Sequence, residues 1–263
     1  MSMYSSMYVG TESNDTINAS NDDDMIFGKG GDDEIDARAG ADRVFSGGGD
    51  DFVIGGVGND RIHGEDGNDF LFGGRDEGHI SGQDDDFIDG GRGDDEILVG
   101  DGRDSLMGGE GSDAFIFKFH DPTPGTPEPG SHVGEIPEPV STILDFNSAQ
   151  DTFQFTSGFF NYDGNGEDAP VETFYSGNAS GASGQRIVVI TDKSFASASD
   201  ARGAISGGHD GDIIVYHNAK TDTADLAYVS SPKQVDVFAH LSEVHSVSDL
   251  ANMHLAASDF MFV

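Results

Sequence analysis

Gly55-Gly56-Val57-Gly58-Asn59-Asp60-Arg61-Ile62-His63 runs directly into Gly64-Glu65-Asp66-Gly67-Asn68-Asp69-Phe70-Leu71-Phe72. Each nonapeptide opens on glycine, puts aspartate sixth and a large apolar residue eighth. Followed outward, the aspartate returns at every ninth position as Asp15, Asp24, Asp33, Asp42, Asp51, Asp60 and Asp69. The series then misses once, shifts by one residue and resumes at Asp86, Asp95, Asp104 and Asp113. Two positions after each aspartate stand Ile17, Ile26, Ile35, Val44, Val53, Ile62, Leu71, Ile88, Ile97, Leu106 and Phe115.

In such a unit six residues make a turn and three make a strand. One unit buries a single side chain, so neighbours must stack to form a core. Two units complete one turn of a flattened coil with the apolar residues pointing inward, and successive coils lie about 4.8 Å apart. The turn needs glycine for positive φ and close backbone approach. The aspartates of alternate units then form two columns, one along each edge of the roll.

Stacked carboxylates repel. At about 5 Å the repulsion is roughly 0.8 kcal/mol in water and about 3 kcal/mol at an effective dielectric of 20. A hard divalent cation reverses the sign, because it takes six to eight carboxylate and carbonyl oxygens. Calcium suits a flexible, carbonyl-lined turn better than magnesium, which demands a tighter octahedron. Acidic, glycine-rich sequence is also the composition of disordered chains. The fixed apolar offset argues against disorder for the ion-bound chain; the ion-free chain is expected to be disordered.

These residues resemble the GGxGxDxUx nonapeptide of the repeats-in-toxin (RTX) family, a repeat associated with calcium. The fullest copies are Gly28–Asp36 in part, Gly55–His63, Gly64–Phe72, Gly90–Leu98 and Gly108–Ile116, and the resemblance covers about Gly10 to Phe117. It implies a parallel β-roll binding several Ca2+ ions, roughly six to nine on the order of one per well-formed pair of turns. Carried over, one ligand column is Asp15, Asp33, Asp51, Asp69, Asp86 and Asp104, and the other is Asp24, Asp42, Asp60, Asp95 and Asp113. The turn carbonyls come from Gly28, Gly47, Gly55, Gly56, Gly58, Gly64, Gly73, Gly90, Gly91, Gly93 and Gly108. Some turns depart from the pattern. Ala19-Ser20-Asn21-Asp22-Asp23-Asp24 has no glycine, Ala37-Arg38-Ala39-Gly40 keeps one, and Gly73-Gly74-Arg75-Asp76-Glu77-Gly78 puts glycine at the ligand position. A gap in the second column is expected there.

Composition narrows the partners. With 49 Asp and Glu against 13 Lys and Arg, the net charge is −36 and the pI near 4.1. Nucleic acid is excluded as a partner for want of a basic patch. There are no cysteines for disulfides or thiolate sites. No stretch has the length of apolar sequence that spans a bilayer. Met1-Ser2-Met3-Tyr4-Ser5-Ser6-Met7-Tyr8-Val9 lacks the basic and apolar regions of a signal peptide and is read as an N-terminal tail, residues 1–9. Weak calcium sites fill outside cells and stay empty in the cytosol, so a secreted or cell-surface protein of a Gram-negative bacterium is expected.

The roll is read over residues 10–119. A Pro-rich insertion or linker follows at 120–140, holding six of the eight prolines, and a β-rich C-terminal domain occupies 141–263. Strands are expected at Ser141–Phe146, Thr152–Thr156, Gln185–Thr191, Asp212–His217, Asp225–Val229 and Val235–Leu241, and helices at Ser194–Ile205 and Val247–Met253. Thr142-Ile143-Leu144-Asp145-Phe146 with Asp151-Thr152-Phe153, Asp212-Ile213-Ile214-Val215-Tyr216 and Ala224-Asp225-Leu226-Ala227-Tyr228 resemble segments of the serralysin-type C-terminal domain. Asp259-Phe260-Met261-Phe262-Val263 is similar to the uncleaved signal read by type I secretion machinery; its plainer reading is a last strand. The fold class is thus all-β, a parallel β-roll followed by a β-rich export domain. A chain that folds only on meeting calcium can cross a channel unfolded and fold outside.

Catalytic signatures are missing from the sequence. No HExxH occurs; His240-Leu241-Ser242-Glu243-Val244-His245 has the residue types at another spacing, and Gly177-Asn178-Ala179-Ser180-Gly181 is not GxSxG. No Walker lysine follows the glycine turns. Only nine residues precede the first repeat, so no enzyme module is expected ahead of it. Phe52 and Ile54 around Val53, Phe70 and Phe72 around Leu71, and Phe87 before Ile88 are expected on one outer face. That face is either covered by the second half or is a surface for self-association or for a cell-surface polymer. The expected role is non-enzymatic, structural or adhesive. A host-directed effector and a non-catalytic relative of an exported hydrolase are the alternatives.

Overall fold

The computed structural model describes residues 4–74, 84–100, 102–119, 140–157, 173–207, 209, 211–231 and 234–262. It divides into two units, Met1–Lys118 and Phe119–Val263.

Among its described residues the first unit holds twelve strands: β1 Ser6–Val9, β2 Thr16–Asn18, β3 Asp24–Gly30, β4 Glu34–Asp36, β5 Arg43–Gly48, β6 Phe52–Gly56, β7 Arg61–Asp66, β8 Phe70–Gly74, β9 Phe87–Arg92, β10 Glu96–Val99, β11 Ser105–Glu110 and β12 Ala114–Phe119. Odd strands pair in parallel in one sheet and even strands in the other. The chain therefore crosses from sheet to sheet at every turn. The register stacks like residues: Tyr8, Ile26, Val44, Ile62, Ile88 and Leu106 in one row. Ile17, Ile35, Val53, Leu71, Ile97 and Phe115 form the other. Every apolar residue two places after a repeat aspartate is buried in this core. This is the parallel β-roll.

Three expectations change. Ser6–Val9, read as tail, is a strand lying beside β3, with Tyr8 next to Ile26. Asp69 to Asp86, read as two repeats with one ligand lost, is a single step from β8 to β9. It simply contains extra residues, and 75–83 lie outside the described residues. Strand alternation, not sequence distance, counts the coils. For the same reason Phe87 lies in the sheet opposite Phe52 and Phe70. Phe52 and Phe70 stack at 5.2 Å beside a cluster of Leu98, Ala114, Ile116 and Phe72. Phe87 instead meets His63 at 5.7 Å, at the end of a Phe27, Phe45, His63 stack.

The second unit contains β13 Ser141–Ile143, β14 Thr152–Ser157, β15 Phe174–Gly177, β16 Ile187–Phe195, α1 Ala198–Gly203, β17 Ile213–Asn218, β18 Thr223–Ser231, β19 Gln234–Leu241, α2 Val247–Asn252 and β20 Phe260–Phe262. The hairpins β17–β18 and β18–β19 are antiparallel, and β15, β16 and β17 run parallel. The helix at Ser194–Ile205 is shorter than expected, because β16 runs to Phe195 and Ser197 caps α1 by accepting the Asp200 N–H. Ser246 caps α2 on Asp249 in the same way. Phe260 to Phe262 pair with Phe153 to Phe155, so these residues of the C-terminal segment form a strand. Residues 120–139 of the expected linker lie outside the described residues, as does Val263.

Candidate metal centre

Each repeat aspartate after Asp15 turns one carboxylate oxygen toward the preceding coil. Asp33 Oδ1 accepts the Asp15 N–H at 2.8 Å, Asp51 that of Asp33 at 2.7 Å and Asp69 that of Asp51 at 2.8 Å. The ladder continues through Asp95 on Asp69 at 2.8 Å and Asp113 on Asp95 at 3.0 Å. Along the other edge, Asp24 accepts from Ser6, Asp42 from Asp24, Asp60 from Asp42, Asp86 from Asp60 and Asp104 from Asp86. The columns are therefore Asp15, Asp33, Asp51, Asp69, Asp95, Asp113 and Asp24, Asp42, Asp60, Asp86, Asp104. The expected assignment exchanged its last two members, Asp86 and Asp104 for Asp95 and Asp113. Neither ladder has the expected gap.

The second carboxylate oxygen is the telling one. Oδ2 of Asp33, Asp42, Asp51, Asp60, Asp69, Asp86 and Asp95 is buried and has no hydrogen-bond partner. A buried, uncompensated anionic oxygen is strongly unfavourable. Its surroundings are more oxygen. A Cβ placed on Gly55 would sit 2.5 Å from Asp60 Oδ2 and 2.6 Å from the Gly73 carbonyl oxygen. Gly28, Gly64 and Gly90 likewise back onto Oδ2 of Asp33, Asp69 and Asp95 and onto the carbonyls of Ser46, Gly90 and Gly108. Gly73 and Gly108 face Asp86 and Asp113. Lone pairs of a carboxylate and a main-chain carbonyl share one pocket with no proton between them. Among the described residues no three Asp, Glu or His side chains converge as a metal cage. The donor set is carboxylate plus carbonyl, which fits calcium and not a nitrogen- or sulfur-preferring ion.

The remaining predicted glycines shape the turn. Gly47, Gly56 and Gly91 stand four places before their aspartates, and Gly58 and Gly93 two places before, all with positive φ. At Gly56 the backbone lies against the Arg38 carbonyl, leaving no room for a side chain.

Burial dominates the electrostatics. It pushes the Asp95 carboxyl up to about 6, Asp42 to about 7, and Asp60 and Asp69 to about 8. Asp86 rises to about 10, with the Asp104 and Asp60 charges adding to burial. Asp33 and Asp51 shift upward for the same first cause. The accepted N–H of each ladder opposes the shift without cancelling it.

A second ladder was not anticipated. The residue just before the ligand runs the other way, accepting from the following coil. Asn14 accepts the Asp32 N–H, Asp32 that of Asp50, Asp50 that of Asn68, Asn68 that of Asp94 and Asp94 that of Ser112. Asp23, Asn59 and Asp85 do the same along the other edge. The signal was present as the Asn or Asp that precedes eight of the eleven repeat aspartates, here working as a turn clip.

In the second unit the histidines of the His240–His245 segment do not converge. His240 Nδ1 meets Asp225 Oδ1 at 2.8 Å, and His245 Nδ1 meets the Asp222 carbonyl at 3.2 Å. Asp225 is fully buried and also accepts from Tyr216, Asn218 and Thr223. With all its oxygens occupied it ties three strands together and leaves nothing for an ion.

A family model described as RTX calcium-binding nonapeptide repeat (4 copies) matches residues 9–44, 45–80 and 80–115. Nodulation protein O of Rhizobium leguminosarum bv. viciae is 39% identical over 170 residues, covering 57% of this chain and 56% of that protein. The chain thus matches little more than half the length of that relative. The solution structure of the AlgE6R3 subunit from the Azotobacter vinelandii mannuronan C5-epimerase aligns over 95% of this chain and 79% of its own, at 16% identity and a TM-score of 0.25.

Proposed function

From the match of residues 9–115 to the RTX calcium-binding nonapeptide repeats, we propose that this is a secreted, non-enzymatic protein that folds outside the cell on meeting calcium. RTX repeats bind calcium. The observation that carries it is the set of buried Oδ2 atoms without partners, of which those of Asp33, Asp60, Asp69 and Asp95 lie beside a carbonyl of the next coil. Calcium at these positions turns a repulsive stack into a cohesive one, and binding free energy becomes folding free energy. Export as an unfolded chain through type I secretion machinery, signalled by Asp259–Val263, follows from the same coupling. The folded protein would act structurally or adhesively at the surface of a Gram-negative bacterium or in its extracellular matrix. The apolar stripe of Phe52, Ile54, Phe70 and Phe72 is its contact surface for another copy or a cell-surface polymer.

A calcium titration followed by circular dichroism and light scattering on one sample tests this. β structure should rise with calcium and vanish with chelator. Full structure in excess chelator would end the proposal, and a monodisperse monomer at high calcium and high concentration would remove self-association.

A second reading takes its support from the relative named Nodulation protein O: a secreted effector directed at a plant host. Dye leakage from liposomes in the presence of calcium favours that reading, and intact vesicles favour the structural one. No described helix is long and apolar enough to cross a membrane.

A further inference from the structure

The first two turns differ from those of Asp33 through Asp95 in the atoms that meet the ligand carboxylate. Asp15 Oδ2 accepts the Thr11 N–H at 2.5 Å and the Thr11 hydroxyl at 2.9 Å. Asp24 Oδ2 accepts the Ser20 N–H at 2.9 Å and the Ser20 hydroxyl at 2.6 Å. In the turns of Asp33, Asp42, Asp51, Asp60, Asp69, Asp86 and Asp95 the same oxygen has no partner. Ser46 is another hydroxyl in these turns, near enough to Asp51 to oppose the rise of its carboxyl, but its hydroxyl donates to the Gly64 carbonyl at 2.8 Å and Asp51 Oδ2 keeps no hydrogen-bond partner.

Backbone hand gives an independent observation. Four places before its aspartate, each of Lys29, Arg38, Gly47, Gly56, Glu65, Gly91 and Gly109 has φ between 72 and 118. Two places before, Gly31, Gly40, Gly49, Gly58, Gly67, Gly93, Gly102 and Gly111 are also positive. Thr11, Ser13, Ser20 and Asp22 hold the corresponding places in the first two turns, and none has positive φ. Lys29, Arg38 and Glu65 accept a left-handed conformation that disfavours them by about 1–2 kcal/mol. The turns of Asp33, Asp42, Asp51, Asp60, Asp69, Asp95 and Asp113 keep this hand even without glycine, whereas Gly100, four places before Asp104, and Asp84, two places before Asp86, lack positive φ; among the described residues only the first two turns lack it at both places. With the hand changed, the N–H of Thr11 or Ser20 points at the carboxylate, and its hydroxyl closes the same oxygen.

We infer that the calcium columns start one coil into the roll, and that the turns of Asp15 and Asp24 form a metal-independent capping coil in which Thr11 and Ser20 take the place of the ion. This deepens the calcium reading above and rests on it. The ladders define nine intervals between neighbouring repeat aspartates. Two of them, Asp15 to Asp33 and Asp24 to Asp42, begin on a carboxylate already satisfied, which leaves seven. The capping coil has a function in a stack whose units contact only their neighbours. It supplies a paired edge, with register set by hydrogen bonds, on which the first ion-dependent coil can form.

The test counts bound calcium on the full chain by equilibrium dialysis with metal analysis. The double variant Asp15→Asn, Asp24→Asn should bind as many ions as the unaltered protein, whereas Asp51→Asn, Asp60→Asn should bind fewer. Thr11→Gly with Ser20→Gly restores the later turn chemistry and should add up to two ions. Loss of ions in the Asp15, Asp24 variant overturns the inference. If that variant does not fold at saturating calcium, the glycine pair decides, and no added ion overturns it. An unaltered chain that binds no calcium fails the proposed function itself, a result distinct from both.

Discussion

The Asp69 N–H donates to Asp95 Oδ1 at 2.8 Å across 26 residues, the same bond that Asp51 makes to Asp69 across 18. The ladder does not register the extra residues between Gly74 and Asp84. Deleting residues 76–83 would leave Gly73-Gly74-Arg75-Asp84-Asp85-Asp86, a turn of regular length with its ligand in place. This shortened protein should fold with calcium and bind the same number of ions. Loss of the calcium-dependent circular dichroism change would show that the extra residues are part of the roll.

That relationship also marks where the sequence stopped being legible. Inward residues such as Ile62 and Leu71 are readable because a fixed offset from aspartate is a fixed direction in space. The columns are readable up to Asp69 for the same reason. Beyond it, a spacing of 17 looks like two repeats, and only the alternation of β8 and β9 between sheets shows that it is one. Thr11 and Ser20 escaped notice because their role lies in hydrogen bonds to a carboxylate four residues on. A consensus registers them only as missing glycines. The Tyr216, Asp225, His240 contacts depend on strand pairing across β17, β18 and β19, which no local pattern encodes.

Ligand and non-ligand residues should separate cleanly. Asp60→Ala and Asp95→Ala each remove a carboxylate whose free oxygen faces the next coil. Even partners one shell away from a metal alter affinity roughly 10–100-fold, so each change should raise the calcium midpoint of folding at least about tenfold. His240→Ala, in the second unit and bonded to Asp225, should leave that midpoint in place. Equal shifts for all three would refute the ligand assignment.

Acid should partly replace calcium. A carboxyl whose folded pKa exceeds its unfolded value of roughly 3.9 binds more protons in the folded state. Asp95, Asp42, Asp60 and Asp69, lifted to between about 6 and about 8, and Asp86, lifted to about 10, are such groups. Their contribution favours the calcium-free fold fully below about 4 and is lost as pH rises through 6 to 8 and beyond. In chelator the chain should therefore show more β structure at pH 5 than at pH 8. At pH 8 calcium should restore it. Circular dichroism across that range decides the matter, and a calcium-free fold that gains stability with rising pH contradicts the burial of these carboxyls.

Two glycines should respond oppositely to the same small change. Gly58 has φ 123, donates its N–H to Asp84 Oδ1 at 2.6 Å, and lies so close to the Gly40 carbonyl that a Cβ has no place. Gly58→Ala should lose about 1–2 kcal/mol for the left-handed backbone alone, with the steric conflict added, and should lower the melting temperature at saturating calcium. Gly203 ends α1 with nothing within 4 Å of a Cβ built on it. There Ala relieves the entropy of a helical glycine, worth roughly 0.5–1 kcal/mol, so the melting temperature of Gly203→Ala should hold or rise. Thermal melts of the two variants side by side test whether the turn, rather than glycine content, sets the fold. A Gly58→Ala protein as stable as the Gly203→Ala protein would mean that the coils tolerate side chains where their backbones are closest, and the tight stacking that brings carbonyl to carboxylate would have to be abandoned.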